Sequence, residues 1–458
     1  MHRRSVFVLL SLALSPAPTL AQYPPGRQGS SNMHVVAHVP LGRVVSMGDI
    51  KVEQELSRPY AYVARINGAV HMAGFNIISL KDPARAQSLY SWRIENPELH
   101  EGLGTSDAEY FKLNGRYYYV NPVQFAASGP DGDLAVIVFD VTGLPDTSKI
   151  REAGRLRLPG IPGGSHNVFP YKHSDGRVLM FTVTQSAYAH VYDMARFIAG
   201  EANQGLASRI PQPDSNYSVG RFGRAYHDFY AGYDPATRQD KLYGSGYAGY
   251  YVWDVTRVEA PKLITSVTGV AGLDHGHTFT PTPDGRYAVG ESEEQYQPLR
   301  LFDLKPGLDG TMKTISRPIG AWTADWQNLA HNHEVRWPYV FVSALEDGLH
   351  VFNMMDPTNP YTVGYYDTFE GPHLKLGYGG GPNPENGNSI FNGAWGVDIR
   401  NADGLIVVSD FSTGFWAFKM DGFDGWNGHQ WGMPNISSAQ DWDNGPEGAA
   451  KPARVSTK

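Results

Sequence analysis

The stretch Val136-Ile137-Val138-Phe139-Asp140 is a short apolar run that closes on a polar residue, and versions of it recur along the chain. Each copy has the length and the β-branched or aromatic content of a buried strand. The copies end at residues 79, 140, 193, 254, 303, 353 and 419, so they are spaced by 49 to 66 residues. Such a period is typical of β-propellers, whose blades span about 40 to 50 residues, and it leaves room for longer loops.

Each copy lies inside a larger unit whose other strands are marked by turns. Asn114-Gly115, Asp175-Gly176 and Asp284-Gly285 stand between strand-like runs upstream of a copy, as expected in β-hairpins. A further strand-like run follows most copies, for example residues 360–366. Seven units of four antiparallel strands predict an all-β fold, the seven-bladed β-propeller. A β-solenoid or a pair of β-sandwiches is the alternative.

The two ends of the predicted propeller complement each other. The last copy lacks a convincing fourth strand, whereas residues 33–41 have the pattern of a fourth strand with no blade before them. We therefore expect this N-terminal strand to complete blade 7 and to close the ring, which removes an exposed sheet edge.

The first 21 residues have the pattern of a secretory signal peptide. Arg3 and Arg4 precede an apolar run over residues 6–14, and small residues stand at positions 19 and 21. The apolar run is too short to span a bilayer. We expect export to the periplasm or the extracellular space, a mature chain that begins near Gln22, and no membrane span in that mature chain.

The remaining chain divides into three segments. Residues 22–45 carry the ring-closing strand, residues 46–420 form the propeller, and residues 421–458 form a tail rich in Gly, Asp and Trp. We expect the tail to pack on a face of the propeller, with binding of calcium or of a sugar as the alternative.

Composition excludes several classes of protein. With 51 Gly and 32 Pro a helical bundle is excluded, and with 12% aromatic residues a disordered chain is excluded. The absence of Cys excludes disulfides and thiolate metal sites. A net charge of -8 disfavours nucleic acids and anionic membranes as partners. No phosphate-binding motif of the GxxxxGK[ST] type occurs, so we expect no nucleotide cofactor.

Histidines carry the clearest chemical signal in the sequence. Six of the 16 histidines fall where the first strand of a blade should begin, in four successive blades. They are His166, His227, His275, His277, His331 and His333. Because the first strands of a propeller line its central channel, equivalent residues should converge on one point. The spacing of His166 to Asp175 equals that of His275 to Asp284, which predicts that these two histidines share a register.

This histidine cluster predicts a transition-metal site. Imidazole is a preferred ligand of copper, iron and zinc. The pairs 275/277 and 331/333 have the i, i+2 spacing that places side chains on one face of a strand. Asp228, Asp274 and Glu334 adjoin the histidines and are expected to orient the imidazoles. The structural alternative is that these histidines only hydrogen-bond to backbone groups and channel water.

Residues 348–360 carry a family resemblance. The run Gly348-Leu349-His350-Val351-Phe352-Asn353, with Asp356-Pro357 and Val363-Gly364 after it, resembles the repeat of bacterial LVIVD-repeat proteins. Runs similar to residues 391–397 and 407–410 occur in that family in the same order. The resemblance covers roughly residues 46 to 420 and is strongest beyond residue 330. It implies a propeller and an exported protein, and it implies no particular chemistry.

Two functions remain open from the sequence. The first is a metal-binding channel site that acts on a small-molecule substrate, with a copper- or iron-dependent oxidoreductase as the first hypothesis. The second is a non-catalytic propeller that binds a protein or glycan partner. A weaker hypothesis is that Glu291, Glu293 and Glu294 supply a carboxylate pair for glycoside hydrolysis. Against it, we expect their strand to end in a solvated loop.

Overall fold

The structure is a computed structural model in which residues 28–42, 47–66, 73–125, 131–213, 224–369, 373, 392–431 and 440–445 are described. The expected signal peptide over residues 1–21 lies outside the described residues. So do the start of the N-terminal segment, residues 432–439 and 446–458 of the tail, and residue 391 of the family-like run.

Seven four-stranded antiparallel sheets form the predicted seven-bladed propeller. In order from the channel outward, blades 1 to 3 consist of Met47–Val52, Tyr60–Arg65, Gly74–Ser79 and Gln87–Arg93; of Glu109–Leu113, Arg116–Pro122, Leu134–Asp140 and Arg151–Arg157; and of Ser165–Lys172, Val178–Thr184, Tyr188–Asp193 and Leu206–Pro211.

Blades 4 to 7 repeat this order. They consist of Tyr226–Asp234, Gln239–Gly246, Gly249–Asp254 and Lys262–Thr268; of Phe279–Pro281, Tyr287–Gly290, Leu299–Asp303 and Gly320–Trp322; of Asn332–Arg336, Tyr339–Ser343, Leu349–Asn353 and Tyr361–Tyr366; and of Ala394–Arg400, Leu405–Asp410, Gly414–Met420 and Met33–Val39. The recurring apolar run is the third strand of every blade, as the repeat predicts.

Short additional strands and helices accompany the four main strands of the blades. Thr314–Ile315 adds a parallel fifth strand to blade 4, and Gly102–Gly104 pairs with Gln124–Phe125. Short helices span Pro83–Arg85, Pro97–Leu99, Thr147–Lys149, Met194–Ile198, Lys305–Leu308 and Gly428–Trp431. Within the described residues no helix is long and apolar enough to cross a membrane.

Burial follows the position of a strand in its blade. Leu134–Asp140, the third strand of blade 2, is buried at every residue, because both faces of the sheet pack against neighbouring blades. The outermost strand of blade 1, Gln87–Arg93, has no fully buried residue. The inner strands are therefore continuous apolar runs in the sequence. This is why they can be recognised there as a repeat.

The hairpin signals have the expected conformational cause. Leu113 pairs with Arg116, so Asn114 and Gly115 alone make the turn. Both turn residues have positive φ, 51° and 75°. A two-residue turn with two positive φ angles matches the twist of the strands, and Asn-Gly is the pair best suited to it.

The ring closes as predicted, through the N-terminal strand. Met33–Val39 pairs antiparallel with Gly414–Met420, from Met33 opposite Met420 to Val39 opposite Phe415. The first strand of each blade contacts the first strands of both neighbouring blades. The beginning of the described chain therefore holds the last blade against the first.

The described part of the tail packs at the channel end opposite the first-strand histidines. Gln440 donates to the backbone oxygen of Pro170 at 2.8 Å and accepts from the backbone amide of Lys172 at 2.7 Å. Trp442 is 8% exposed and makes an edge contact with Tyr110. These contacts reach the far ends of the first strands of blades 2 and 3.

Candidate metal centre

The first strands are irregular where the histidines stand. In blades 3, 4 and 7 the pairing with the second strand skips at His166, at His227 and at Trp395. A β-bulge of this kind inserts a residue and breaks the alternation of side chains. As a result, the successive residues His227 and Asp228 both reach the channel, the first among the histidines and the second in the cavity below them.

His277 and His331 hold the corresponding positions in blades 5 and 6. The hydroxyl of Ser245, in the second strand of blade 4, donates to the backbone oxygen of His277. The backbone amide of His331 donates to the backbone oxygen of Ser343 at 2.8 Å. Blades 3 to 6 thus each place one imidazole at the channel mouth. We call His166, His227, His277 and His331 the histidine arc.

The imidazoles of the arc are neighbours. Ring centroids lie 4.5 Å apart for His166 and His227, 4.1 Å for His227 and His277, and 4.8 Å for His277 and His331. Two imidazoles that share one ion at a metal–nitrogen distance of about 2.0 Å have centroids about 4–5 Å apart. Neighbouring rings of the arc therefore have a spacing compatible with shared ligation, and of the four only His227 and His277 belong to a group whose ligand atoms lie within 4.8 Å of one another.

Three of the four imidazoles point Nδ1 at an oxygen. The contacts are His166 Nδ1 to Gln124 Oε1 at 2.6 Å, His277 Nδ1 to Glu291 Oε2 at 2.7 Å, and His331 Nδ1 to the backbone oxygen of Trp395 at 2.7 Å. A backbone oxygen only accepts, so His331 carries its proton on Nδ1 and leaves the Nε2 lone pair for a ligand. Metal-binding histidines are oriented in this way, by an oxygen acceptor on the other ring nitrogen.

Glu293 brings a carboxylate to the arc. Its Oε2 lies 3.3 Å from His277 Nε2, and its Oε1 lies 3.8 Å from His331 Nε2. Ligand atoms of His227, His277 and Glu293 all lie within 4.8 Å of one another, a group that could hold a metal ion. Glu293 has a φ of 46°, a left-handed conformation that is unfavourable for a residue with a side chain. Its backbone amide donates to the Glu291 carboxylate, which fixes this conformation.

Burial keeps the imidazoles neutral. It lowers the pKa values of His166, His227 and His331 well below 6.5, and for His166 and His227 a neighbouring positive charge lowers them further. For His166 that charge comes first from Arg224, which is 7% exposed. Burial also lowers the pKa of His277, against the opposing effect of Glu293. Neutral imidazole is the form that binds metals.

His227 provides an independent test of fit. Its Nδ1 is buried and has no hydrogen-bond partner among the described residues. A buried nitrogen without a partner costs free energy unless something binds it. A metal ion bound at this nitrogen would relieve that cost, although His333 Nδ1, which is also buried and outside the arc, lacks a partner among the described residues as well.

The two remaining predicted histidines differ from the arc. His275 is half-buried beside it, with its ring centroid 5.6 Å from that of His227. His333 is buried further along the channel, where its Nε2 lies 3.2 Å from the backbone oxygen of Val289. The pair 331/333 is thus split between the arc and the cavity below it, whereas His275 lies beside the arc. The reason is that His277 and His331 precede the regularly paired residues of their strands, so the alternation of a strand does not apply to them.

The equal spacing to the following turns gave the wrong register for blade 5. His277, not His275, corresponds to His166. Blade 3 has an eight-residue first strand, Ser165–Lys172, with a bulge, whereas blade 5 has the three-residue strand Phe279–Pro281. His166 lies nine residues before Asp175 and His277 lies seven before Asp284, so counting from the turn misplaces the histidine by two residues.

The orienting groups are not those expected from the sequence. Asp274 is exposed, and Asp228 and Glu334 lie in the layer below the arc. The expectation of a solvated loop around the glutamates is also wrong, because Glu291 is 2% exposed and engaged by His277. The sequence did contain a signal for these glutamates. Glu291 and Glu293 come just after Tyr287–Gly290, the second strand of blade 5, and His277 comes just before the first strand of the same blade.

Below the arc the channel is lined by acids. A cavity of about 20 Å3 has Asp49, Lys51, Asp107, Glu109, Asn167, Asp228, Asn332, His333 and Glu334 among its lining residues. We call these residues the acid layer. Lys51 Nζ lies 3.1 Å from Glu109, 3.5 Å from Glu334 and 3.7 Å from Asp49. The ammonium group thus joins blades 1, 2 and 6 across the axis.

Comparison with known proteins assigns neither a family nor a function to this chain. No family model matches the chain, and no curated protein matches it. What can be said of function therefore follows from the residues of the site.

Proposed function

We propose that this propeller holds a transition-metal ion at its channel mouth, with His227, His277 and Glu293 as ligands. The observation that carries the proposal is that these three residues bring ligand atoms within 4.8 Å of one another. The orientation of the His277 imidazole, whose Nδ1 contacts the Glu291 side chain, supports it. His331 and His166, whose rings lie next to these ligands, complete the donors that the arc offers.

The donor set favours redox-active metals and zinc. Two histidines and one carboxylate are the ligands of mononuclear non-haem iron enzymes and of several zinc hydrolases, and imidazole also suits copper. Bound iron or copper would supply one-electron chemistry to a small substrate. The function we propose is an iron- or copper-dependent oxidoreductase. The protein residues hold and orient the ligands, and Arg224 adds a positive charge beside them.

We further propose that the protein is exported and is a member of the LVIVD-repeat family. The charged, apolar and small-residue pattern of residues 1–21 supports export, and the run over residues 348–360 supports the family. N-terminal sequencing of the protein recovered from the periplasm would test export, with a mature chain starting near Gln22 as the expected result. An intact N-terminus in the cytoplasmic fraction would contradict it.

Metal content tests the main proposal. The full-length protein, purified without a His-tag, should contain close to one equivalent of iron, copper or zinc by elemental mass spectrometry. His277→Ala and Glu293→Gln should lose that metal. His333→Ala is the matched control, because His333 is an equally buried channel histidine outside the arc, and it should retain the metal.

Two results would overturn the proposal. The first is a wild-type protein that stays metal-free after incubation with each ion. The second is loss of metal in His333→Ala to the same extent as in His277→Ala. Either result would favour the alternative function, a non-catalytic propeller that binds a protein or glycan partner.

A further inference from the structure

A polar residue follows each histidine of the arc, and these residues belong to one hydrogen-bonded network. They are Asn167, Asp228, Thr278 and Asn332. Blade 2 has no histidine in the arc, but its Asp107 joins the network at both ends. Asp107 Oδ2 accepts from Asn167 Nδ2 at 3.1 Å, and Asp107 Oδ1 accepts from Asn332 Nδ2 at 3.3 Å. The carboxylate thus connects blades 3 and 6, which carry the two outer histidines of the arc.

The network reaches the proposed ligand His277 through Thr278. The Thr278 hydroxyl donates to Asn332 Oδ1 at 3.1 Å, and its oxygen lies 2.9 Å from His277 Nδ1. A hydroxyl has a single proton. Because Thr278 gives that proton to Asn332, its oxygen can only accept from the imidazole. His277 therefore carries its own proton on Nδ1 and leaves the Nε2 lone pair for a metal.

The direction of these hydrogen bonds is set at Asp107. An ionised carboxylate only accepts, so Asn332 presents its Nδ2 to Asp107 and its Oδ1 to Thr278. Glu291 Oε2 lies 2.7 Å from the same Nδ1 of His277. Glu291 accepts the proton of His277 only while its own carboxylate is ionised, whereas the Thr278 oxygen accepts it in either case. The network from Asp107 is thus a second and independent constraint on this imidazole.

Asn167 makes the direction at Asp107 unique. Its Nδ2 also donates to Asp228 Oδ1 at 2.6 Å, so turning its amide over would place one oxygen against another. Asn167 therefore remains a donor to whatever side chain stands at position 107. If that side chain were an amide, its oxygen would face Asn167 and its NH2 group would face Asn332. The Asn332 amide would then turn over, and donors and acceptors would be exchanged as far as His277.

We propose that Asp107 is a positioning residue for the metal centre, which fixes the tautomer of His277 through Asn332 and Thr278. The inference rests on the proposed function, because the tautomer matters only if His277 binds a metal. Asp107 and Thr278 are buried, so solvent does not compete for these bonds. Groups that orient a metal-binding histidine through its other ring nitrogen are a general feature of metal sites.

The first measurement is the tautomer of His277 in the metal-free, full-length protein, by NMR with ring-15N histidine at pH 8. Burial raises the pKa of Asp107 to about 7, so this carboxyl group is ionised at that pH. The signals of His277 are identified by their absence in His277→Ala. Wild type should carry the proton on Nδ1, and Asp107→Asn should shift it toward Nε2. Asp410→Asn is the matched control, because Asp410 is a fully buried carboxylate bound to Thr368, outside the arc and the acid layer.

The exchange variant Asp107→Asn/Asn332→Asp tests the direction of the bonds. It places the amide at position 107 and the carboxylate at position 332, so every donor again meets an acceptor. The amide donates to the carboxylate, which also accepts from Thr278, and the amide oxygen accepts from Asn167. The proton of His277 should therefore return to Nδ1. A merely structural role of Asp107 predicts no such rescue, because two buried side chains have changed.

The second measurement is a titration with Cu2+ followed by electron paramagnetic resonance. Asp107→Asn should bind Cu2+ about tenfold more weakly than wild type, whereas the exchange variant and Asp410→Asn should bind it as wild type does. The exchange variant keeps the charge and the bonds of the wild type, so its spectra test the inference even if Asp107→Asn does not fold.

The outcomes separate this inference from the proposed function. A wild type that binds no Cu2+, iron or zinc would contradict the proposed function, and with it the role of Asp107 in a metal centre. An unmoved His277 proton in Asp107→Asn, or a moved proton in the exchange variant, would overturn the inference even in a protein that binds metal. A moved proton with unchanged Cu2+ affinity would overturn it as well.

Discussion

Replacing Lys51 by Met should destabilise the propeller strongly, because Lys51 is the ammonium group at the centre of the acid layer. Its Nζ lies within 4.0 Å of Glu109, Glu334 and Asp49, and all four side chains are at most 8% exposed. The attraction at 3.1 Å amounts to about 5 kcal/mol per pair at an effective dielectric constant of about 20. Desolvation of the lysine offsets much of this, and removal of one partner from a buried ion pair costs about 3–5 kcal/mol.

Denaturant unfolding at pH 8, followed by circular dichroism, measures this effect. Lys112→Met is the matched control, because Lys112 Nζ lies 3.1 Å from Glu55, whose side chain is 42% exposed. Solvent screens such a pair, and its loss should cost about 1 kcal/mol or less. If Lys51→Met is no less stable than Lys112→Met, the electrostatic account of the channel is wrong. The difference should also shrink at pH 5, because burial raises the pKa values of Asp49 and Glu109 and these two groups then hold protons, whereas the pKa of Glu334 is lowered and its carboxylate stays charged beside Lys51.

Three further predictions concern the arc, the acid layer and ring closure. Glu291→Gln should weaken metal binding at the arc by about 10- to 100-fold, because the carboxylate that orients His277 is lost; a metal titration with Glu294→Gln as control measures this. Burial raises the pKa of Asp107 to about 7. The free energy of unfolding should therefore fall as pH rises from about 4 to 7, because over this range the carboxyl group ionises in the unfolded chain but keeps its proton in the folded one. Chelator-treated wild type should therefore lose more stability between pH 5 and 8 than Asp107→Asn does, and equal losses would contradict the shifted pKa. Deletion of residues 28–39 exposes the edge of Gly414–Met420 and should cause aggregation visible by light scattering, whereas a monomer as stable as the full chain would argue against closure by that strand.

Much of the fold could be read from local sequence. The third strand of each blade is buried on both faces, so it must be a continuous apolar run, and seven such runs were visible without any tertiary information. Asn114-Gly115 indicated its hairpin because two positive φ angles leave few other residues possible. The N-terminal strand was predictable because a propeller with one incomplete blade has an unpaired edge that another segment must cover.

The candidate site was predictable only in part. The histidines stood out because equivalent positions of a repeat converge on one axis, and four of the six form the arc. The bulges at His166 and His227 shift the alternation of side chains and could not be read from the sequence. Arg224 was missed because it precedes its strand and belongs to no repeated pattern.

The sequence by itself determined the strands, their number and the closure of the ring, because these depend on the burial pattern and turn preferences of nearby residues. Only the tertiary structure decided which polar side chains meet in the channel. Glu293 reaches His277 through a left-handed backbone conformation, and Lys51 reaches Glu334 across the axis from a distant part of the chain. Such contacts depend on the relative rotation of the blades and on single bulges, and no local preference of a residue encodes either.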